Sequence, residues 1–252
     1  MNTVKYTAIN AKAIDTWIDG GGIGWAIPIS HEVYIAATNG DWTIDGLPRD
    51  WLPPVKGKTL LGLASGGGQQ MPIFVALGAE CTLVDYSDRQ LDSDRLVSER
   101  ENYLIDLIKA DITEQFPFND EQFDVIFHPV SNNYIEDVQH IWSECFRVLK
   151  SGGLLIAQMS NGLDFLFDDD SEPLIVRNKL PWNPLKMPPE RLHEMIDNVE
   201  GLEFSHSLED NIGGMCRAGF LVTGLVEMRD PPGQGVVRDY MPQYYSVRAK
   251  KL

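Results

Sequence analysis

The order of apolar and polar positions predicts strands that alternate with helices through most of the chain. Short apolar runs have the length of buried strands, and longer segments between them have the length and pattern of helices. This alternation is typical of βαβ units, in which a mostly parallel sheet is covered on both faces. The predicted strands are Thr59–Leu63, Glu80–Asp85, Ile105–Ala110, Phe123–Phe127, Leu154–Met159, Phe220–Glu227 and Tyr244–Ala249, and the predicted helices are Gln69–Leu77, Asp88–Arg100, Asp137–Leu149, Pro189–Asn198 and Leu208–Ala218.

We expect a single domain over residues 1–252, built around a ligand-binding core at 58–160. Residues 1–57 do not follow the alternation and are predicted to form an N-terminal cap of helices and loops across the carboxyl edge of the sheet. Residues 161–207 are long for a connection in a compact domain, which favours a functional lid. Residues 208–252 are predicted to supply the final helix and strands.

The core begins with the most informative stretch of the chain, a glycine-rich turn. The apolar run Leu60–Leu63 leads into Gly66–Gly68, and an apolar segment of helical length, Met71–Leu77, follows. Ligands of open α/β sheets bind outside the carboxyl ends of the strands. Glycines let a ligand lie on main-chain N–H groups, and a helix N-terminus favours negative charge. The turn therefore predicts a site for a nucleotide-like cofactor.

Two aspartates end the next two predicted strands. Asp85 can accept hydrogen bonds from two ribose hydroxyls; the alternative is a cap on the helix that begins near Asp88. Asp111 can accept the amino hydrogen of an adenine ring, beside the backbone N–H of Ile112; the alternative is a turn or a helix cap.

Two other nucleotide motifs fit less well. A nicotinamide dinucleotide fingerprint needs a third small residue after the glycines, and Met71 stands there. A phosphate-binding lysine is also absent from the turn, so the P-loop pattern fails. An NAD-dependent oxidoreductase is therefore a disfavoured alternative.

The complete set of motifs resembles the class I S-adenosylmethionine-dependent methyltransferases, of the branch called methyltransferase type 11. The resemblance is carried by the glycine turn, Asp85, Asp111, the run Phe123–Ile126, and Arg147–Gly153 before a strand. It covers residues 57–160 well and 208–250 by pattern. It implies an α/β, Rossmann-like, doubly wound sheet of seven strands in the order 3-2-1-4-5-7-6, with the last strand antiparallel.

The resemblance also implies roles for particular residues toward S-adenosylmethionine. The turn would hold the methionine part of the cofactor, the two strand-end aspartates and their neighbours would hold the ribose and the adenine, and residues after the fourth strand would face the reactive methyl group. In that order, these residues are Ala64, Ser65, Gly66, Gly67 and Gly68; Asp85 and Tyr86; Asp111 and Ile112; and His128, Pro129 and Ser131.

This sequence departs from the family pattern at two positions. The family usually has an acidic residue at the position of Gly62 and a glycine at the position of Ala64. The first change removes a negative group near the amino end of the cofactor, and the second places a β-carbon in a tight turn. A catalytically inactive cofactor-binding module of the same fold is therefore an alternative to an enzyme.

Candidate acceptor and catalytic residues come from the ends of the predicted elements. His128 is the best candidate for a general base, because imidazole titrates near neutral pH; alternatively it only hydrogen-bonds a loop or shapes the pocket. Trp25 is predicted to roof the site, with simple packing as the alternative. Further substrate contacts are expected from His31, Tyr34 and His206. No set of side chains has metal-ligand spacing.

Composition narrows the possible partners. The formal net charge is −16, which disfavours nucleic acid and acidic membrane surfaces. The predicted cap and lid favour a buried small-molecule acceptor over a protein or a nucleic acid. The acidic run Asp168–Asp170 either meets a cationic substrate or is a solvated loop. Three cysteines without a framework are interpreted as core residues of a protein in a reducing compartment, so we expect a cytoplasmic location. The acceptor atom and the oligomeric state are left open.

Overall fold

The computed structural model describes residues 5–21 and 24–252, and seven strands form one sheet. The strand order is β3-β2-β1-β4-β5-β7-β6; neighbours from β3 to β5 are parallel, and β7 runs antiparallel to β5 and β6. This confirms the predicted order and the antiparallel last strand. The strands are β1 (Thr59–Leu63), β2 (Glu80–Asp85), β3 (Asp106–Lys109), β4 (Phe123–His128), β5 (Leu149–Ser160), β6 (Leu221–Met228) and β7 (Tyr244–Lys250).

Helices flank the sheet and form parts of the cap and the lid. All five predicted helices are present, although a turn of π-helix, Glu209–Gly213, occupies the first half of the one expected at 208–218. The α-helices are α1 (Tyr6–Asp19), α2 (His31–Thr38), α3 (Gln70–Ala76), α4 (Asp88–Glu101), α5 (Val138–Val148), α6 (Pro189–Asp197), α7 (Gly214–Ala218) and α8 (Val236–Tyr240).

The core consists of two apolar clusters, one on each face of the sheet. Successive side chains of a strand point to opposite faces, and β1 shows this directly. Leu61 packs in the cluster that contains Trp142 of α5, whereas Leu60 packs in the cluster that contains Phe74 of α3. Because both faces of the central strands are covered, β1 is an apolar run rather than an alternating one.

Strand register brings the ends of the central strands to one edge. Leu63 is paired with Val84 of β2, and Gly62 is paired with Phe127 of β4. The segments that follow these three strands therefore leave the sheet side by side. They include the glycine turn and Asp85, as well as the residues that follow β4.

The cap and the lid are joined to each other by hydrogen bonds. Asn10 of α1 donates to the carbonyl of Leu202 and accepts from its N–H, at 3.0 and 2.7 Å. The indole N–H of Trp17 donates to the carbonyl of Val199 at 3.0 Å. Helix α1 is thereby fixed across the carboxyl edge, where it closes one side of the site.

The burial of the cysteines agrees with the prediction for two of the three. Cys81 and Cys145 are buried, but Cys216 is exposed, so the core interpretation of that third cysteine is wrong.

Among residues 5–21 and 24–252, no helix has both the length and the apolar character needed to cross a bilayer.

Candidate functional site

A large cleft of about 1340 Å³ lies over the carboxyl ends of the central strands. Helix α1 contributes one wall through Thr7, Asn10 and Ile14, and Trp25 lines it from the other part of the cap. The predicted cofactor residues on this cleft come from the glycine turn, the two strand-end aspartates and the segment after β4. They are Ala64, Gly66, Asp85, Tyr86, Asp111, Ile112, Pro129 and Ser131.

The glycine turn is fixed by its own main-chain hydrogen bonds. The N–H of Gly66 donates to Asp85 Oδ2 at 3.1 Å, that of Gly67 to the carbonyl of Gln90 at 3.2 Å, and that of Gly68 to Asp94 Oδ2 at 2.9 Å. The expectation that a ligand lies on these N–H groups is therefore wrong for this structure. The turn instead lets the chain pass close to α4.

The close packing explains why glycines are needed in this turn. A β-carbon at Gly66 would lie 2.5 Å from Cβ of Gln90 and 2.9 Å from Asp85 Oδ2. Gly67 has a φ of +114° and Gly68 a φ of +70°, which side chains rarely adopt. Gly67 and Gly68 are among the predicted cofactor residues that do not line the cleft, because they pack against α4.

Ala64 occupies the position where the family pattern has a glycine, and it adopts a left-handed conformation. Its φ is +47°, and its N–H donates to the carbonyl of Val84 at 2.8 Å. A left-handed conformation costs an L-residue about 1–2 kcal/mol. Ser65, next to it, is buried and does not line the cleft.

Asp85 is held at the end of β2 by two main-chain N–H groups. Besides the bond from Gly66, its Oδ1 accepts the N–H of Ser87 at 3.0 Å. Burial raises the pKa of this carboxyl to about 6, although the main-chain donors oppose the rise. The cap of α4 is Ser87, whose Oγ accepts from the N–H of Gln90 at 3.1 Å. The helix-cap alternative for Asp85 is therefore wrong.

Asp111 belongs to both the cleft and a turn. Its Oδ1 accepts from the N–H and the hydroxyl of Thr113 at 3.0 and 2.7 Å, which is the turn interpretation. Its Oδ2 accepts the hydroxyl of Thr7 at 2.7 Å, which ties α1 to the end of the third strand region. Ile112 lines the same part of the cleft and is mostly buried.

His128 lies below the cleft rather than in it. It is the last residue of β4, its side chain is fully buried, and its ring contacts Trp142 edge-on. Its Nδ1 lies 2.8 Å from the carbonyl oxygen of Leu63 and 3.2 Å from Ser131 Oγ. Burial lowers the pKa of the imidazole to about 4. The interpretation of His128 as a base that faces the methyl group is therefore corrected to a buried residue that ties β4 to β1.

Three of the four predicted substrate residues also lie away from the cleft. His31 hydrogen-bonds Glu101 at 2.8 Å, Tyr34 stacks on Tyr103, and Nε2 of His206 contacts the carbonyl of Asn132. None of the three is part of the cleft lining, which corrects those expectations. Trp25 is the one that the structure places there, with 44% of its surface exposed.

Sequence reasoning missed a second group of polar side chains that line the cleft, which we call the acidic chamber. Its residues come from the turns after β4 and β5, the end of the lid, α8 and the start of β7. They are Tyr134, Asp164, Glu203, Arg238 and Tyr244. The acidic run Asp168–Asp170 does not line the cleft, and its members hydrogen-bond within the lid and to Val237.

The residues present fit the adenosyl part of S-adenosylmethionine. Asp85 and Asp111 open onto one cleft, as a ribose and an adenine of one molecule require. Gln90 also lines it, and its buried Oε1 has no hydrogen-bond partner in the part of the chain that the structure describes. No three His, Cys, Asp or Glu side chains among the described residues are grouped as a metal site.

The sheet order and a cleft at the carboxyl ends of its central strands define a Rossmann-like protein of the methyltransferase class. Residues 61–157 match the family model described as a methyltransferase domain. A Bacillus subtilis (strain 168) protein called "Uncharacterized methyltransferase YbaJ" is 41% identical over 254 residues, which covers 97% of this chain and 98% of that protein. The chain therefore belongs to the class I S-adenosylmethionine-dependent methyltransferases, and its cofactor is S-adenosylmethionine.

Solved structures share the fold at low sequence identity. An S-adenosylmethionine-dependent methyltransferase from Mesorhizobium loti has a TM-score of 0.60 at 19% identity, covering 80% of this chain and 94% of its own. Geranyl diphosphate C-methyltransferase from Streptomyces coelicolor A3(2) has a TM-score of 0.62 at 15% identity, covering both chains completely. At these identities the similarity shows the fold alone.

Proposed function

We propose that this enzyme transfers a methyl group from S-adenosylmethionine to a small-molecule acceptor by in-line displacement. Asp85 with Tyr86 binds the ribose, and Asp111 with Ile112 frames the adenine. Ala64 and Gly66 border the methionine part, together with Pro129 and Ser131. The observation that carries the proposal is one continuous cleft, which is lined by all of these residues and by the acidic chamber.

The walls of the cleft support a small acceptor. Helix α1, Trp25 and, through Glu203, the end of the lid all contribute to these walls. The hydrogen bonds between Asn10 and Leu202 fasten the cap to the lid. Walls from the cap, the lid and the sheet favour an acceptor small enough to lie inside the cleft.

Bound S-adenosylmethionine supplies an electrophilic methyl group on a positively charged sulfur. The protein's part is to hold the acceptor in line with that group, where orientation contributes about 7–11 kcal/mol in favourable cases. Apolar residues such as Ile73 and Pro129 line the cleft and exclude water from the reacting atoms. His128 takes no part in moving a proton in this proposal, because its ring is buried below the cleft.

Calorimetry and label transfer test the proposal together. We expect S-adenosylmethionine and S-adenosylhomocysteine to bind and NADH not to bind. With methyl-labelled cofactor and a cell extract, the label should appear in the low-molecular-weight fraction. Label in the protein or RNA fraction would overturn the small-acceptor assignment, and cofactor binding without any transfer would favour the inactive module.

A further inference from the structure

The acidic chamber brings two lid carboxylates, Asp164 and Glu203, to the same cleft, close enough for the charge of one to act on the other. Asp164 follows β5 and Glu203 precedes Phe204, whose N–H donates to the carbonyl of Asn133 at 2.6 Å. This bond holds Glu203 beside the segment that ends in Tyr134. The phenol of Tyr134 lies close to the Glu203 carboxylate, and both line the cleft.

One of the two carboxylates, Asp164, is poorly compensated by the protein. Oδ1 of Asp164 is fully buried and has no hydrogen-bond partner within residues 5–21 and 24–252. Burial raises the pKa of both carboxyl groups, and repulsion from Asp164 adds to the rise at Glu203. A buried carboxylate without a full set of donors is costly, so this arrangement favours a ligand that brings donors and positive charge.

The guanidinium of Arg238 does not supply all the positive charge and hydrogen-bond donors that the two carboxylates require. Its attraction lowers the pKa of Asp164, but its Nε donates to Gln243 Oε1 at 2.8 Å. Its Nη1 forms an ion pair of 3.5 Å with Asp230. The guanidinium is thus held by two other residues of the C-terminal segment.

The two carboxylates of the acidic chamber favour some functional groups of a methyl acceptor over others. An ammonium group carries three N–H donors and a positive charge, enough for Asp164 and Glu203 together. A hydroxyl has one donor and would leave one carboxylate without a partner. A carboxylate or phosphate would be repelled by both side chains.

We propose that the acceptor is a small primary amine whose nitrogen lies between Asp164 and Glu203 and is the atom that becomes methylated. This inference rests on the proposed methyl transfer. The bound ammonium gives one proton to the Glu203 carboxylate, and the freed electron pair of nitrogen forms the new N–C bond. The C–S bond breaks as its electron pair returns to sulfur, which leaves a methylammonium ion and a neutral thioether.

A matched set of ligands tests the inference in calorimetry on the complex with S-adenosylhomocysteine. The probes are 2-phenylethylamine, 2-phenylethanol and phenylacetate, which share a skeleton and differ in the terminal group. We expect the amine to bind about ten-fold or more tightly than the other two. Equal affinities, tighter binding of the alcohol or the acid, or no binding of the amine would overturn the inference.

Substitutions of Asp164 and Glu203 test whether these carboxylates cause the preference for the amine. Glu203→Gln and Asp164→Asn should each remove most of the preference for the amine, while affinity for S-adenosylhomocysteine stays unchanged. Glu200→Gln is the matched control, since Glu200 is exposed on the same lid. A preference that survives both lid variants contradicts the inference. If the unaltered enzyme does not bind S-adenosylhomocysteine, that result contradicts the proposed cofactor site instead.

Discussion

The main-chain N–H of Gly66 donates a 3.1 Å hydrogen bond to Oδ2 of Asp85. This bond joins the turn after β1 to the end of β2, and it orients the carboxylate at the cleft. Asp85→Ala removes it together with the bond from Ser87. We expect affinity for S-adenosylhomocysteine to fall by about 1–3 kcal/mol in calorimetry, because the variant loses the hydrogen bonds of a buried charged group.

The control for Asp85→Ala is Asp88→Asn. Asp88 is exposed and contacts Lys109 at 2.7 Å on the surface. Its substitution should leave cofactor affinity unchanged. Equal affinities of the Asp85→Ala variant and the unaltered enzyme would remove Asp85 from the ribose site.

The sequence allows the cofactor end of the site to be predicted, because its residues follow consecutive strands. Parallel strands bring their carboxyl ends to one edge, so Asp85 and Asp111 meet on one cleft. His128 was assigned wrongly because β4 extends one residue beyond the predicted end. Alternation along the strand then places Phe127 in the cluster beside α3 and His128 against Trp142.

The acidic chamber could not be found in the same way. Tyr134, Asp164, Glu203 and Tyr244 lie in four separate segments, and no local pattern relates them. They meet only because β7 pairs with β5 and because the end of the lid hydrogen-bonds Asn133. Such long-range contacts have no signature in the periodicity of a single segment.

A second prediction concerns the stability contributed by His128. Replacement by Ala deletes a fully buried ring and leaves the carbonyl of Leu63 without this hydrogen-bond partner. We expect His128→Ala to lower the free energy of unfolding by about 2–4 kcal/mol in urea denaturation. His128→Asn keeps a donor in a similar place and should cost less. His193→Ala on the exposed side of α6 is the control, and an equal effect there would contradict the prediction.

Asp94 makes stability depend on pH. It is fully buried in α4, and burial raises the pKa of its carboxyl from 3.8 to about 7. A raised pKa means that the folded state binds the proton more tightly than the unfolded state. The contribution of protonated Asp94 to the stability of the folded state is therefore complete below pH 3.8, and it is lost as the pH rises to about 7.

Asp94→Asn tests this dependence because it keeps an oxygen that can accept from Gly68 N–H. We compare the free energies of unfolding in urea of the variant and the unaltered protein. Their difference should shift in favour of the variant by on the order of 2–4 kcal/mol between pH 4 and pH 8. Asp92→Asn, at an exposed position of the same helix, should show no such gain. A difference between Asp94→Asn and the unaltered protein that stays constant with pH would refute the assignment.

The last prediction concerns Gly62, where the family pattern has an acid. A β-carbon at this position would overlap the sulfur of Met71 and the hydroxyl of Ser65. Both neighbours are buried, so the strand cannot accept even a methyl group without displacing them. We expect Gly62→Ala to cost about 1–3 kcal/mol through overpacking, measured by urea unfolding. Gly62→Asp should cost more and should not strengthen cofactor binding.

A double-mutant cycle with Met71→Ala identifies the cause. If Met71 is the obstacle, Gly62→Ala should cost at least about 1 kcal/mol less in the Met71→Ala background than in the unaltered protein. Gly24→Ala is the control for the loss of a glycine, since a β-carbon there meets no atom within 4 Å. Additive costs in the cycle would show that the absence of an acid at this position does not come from packing against Met71.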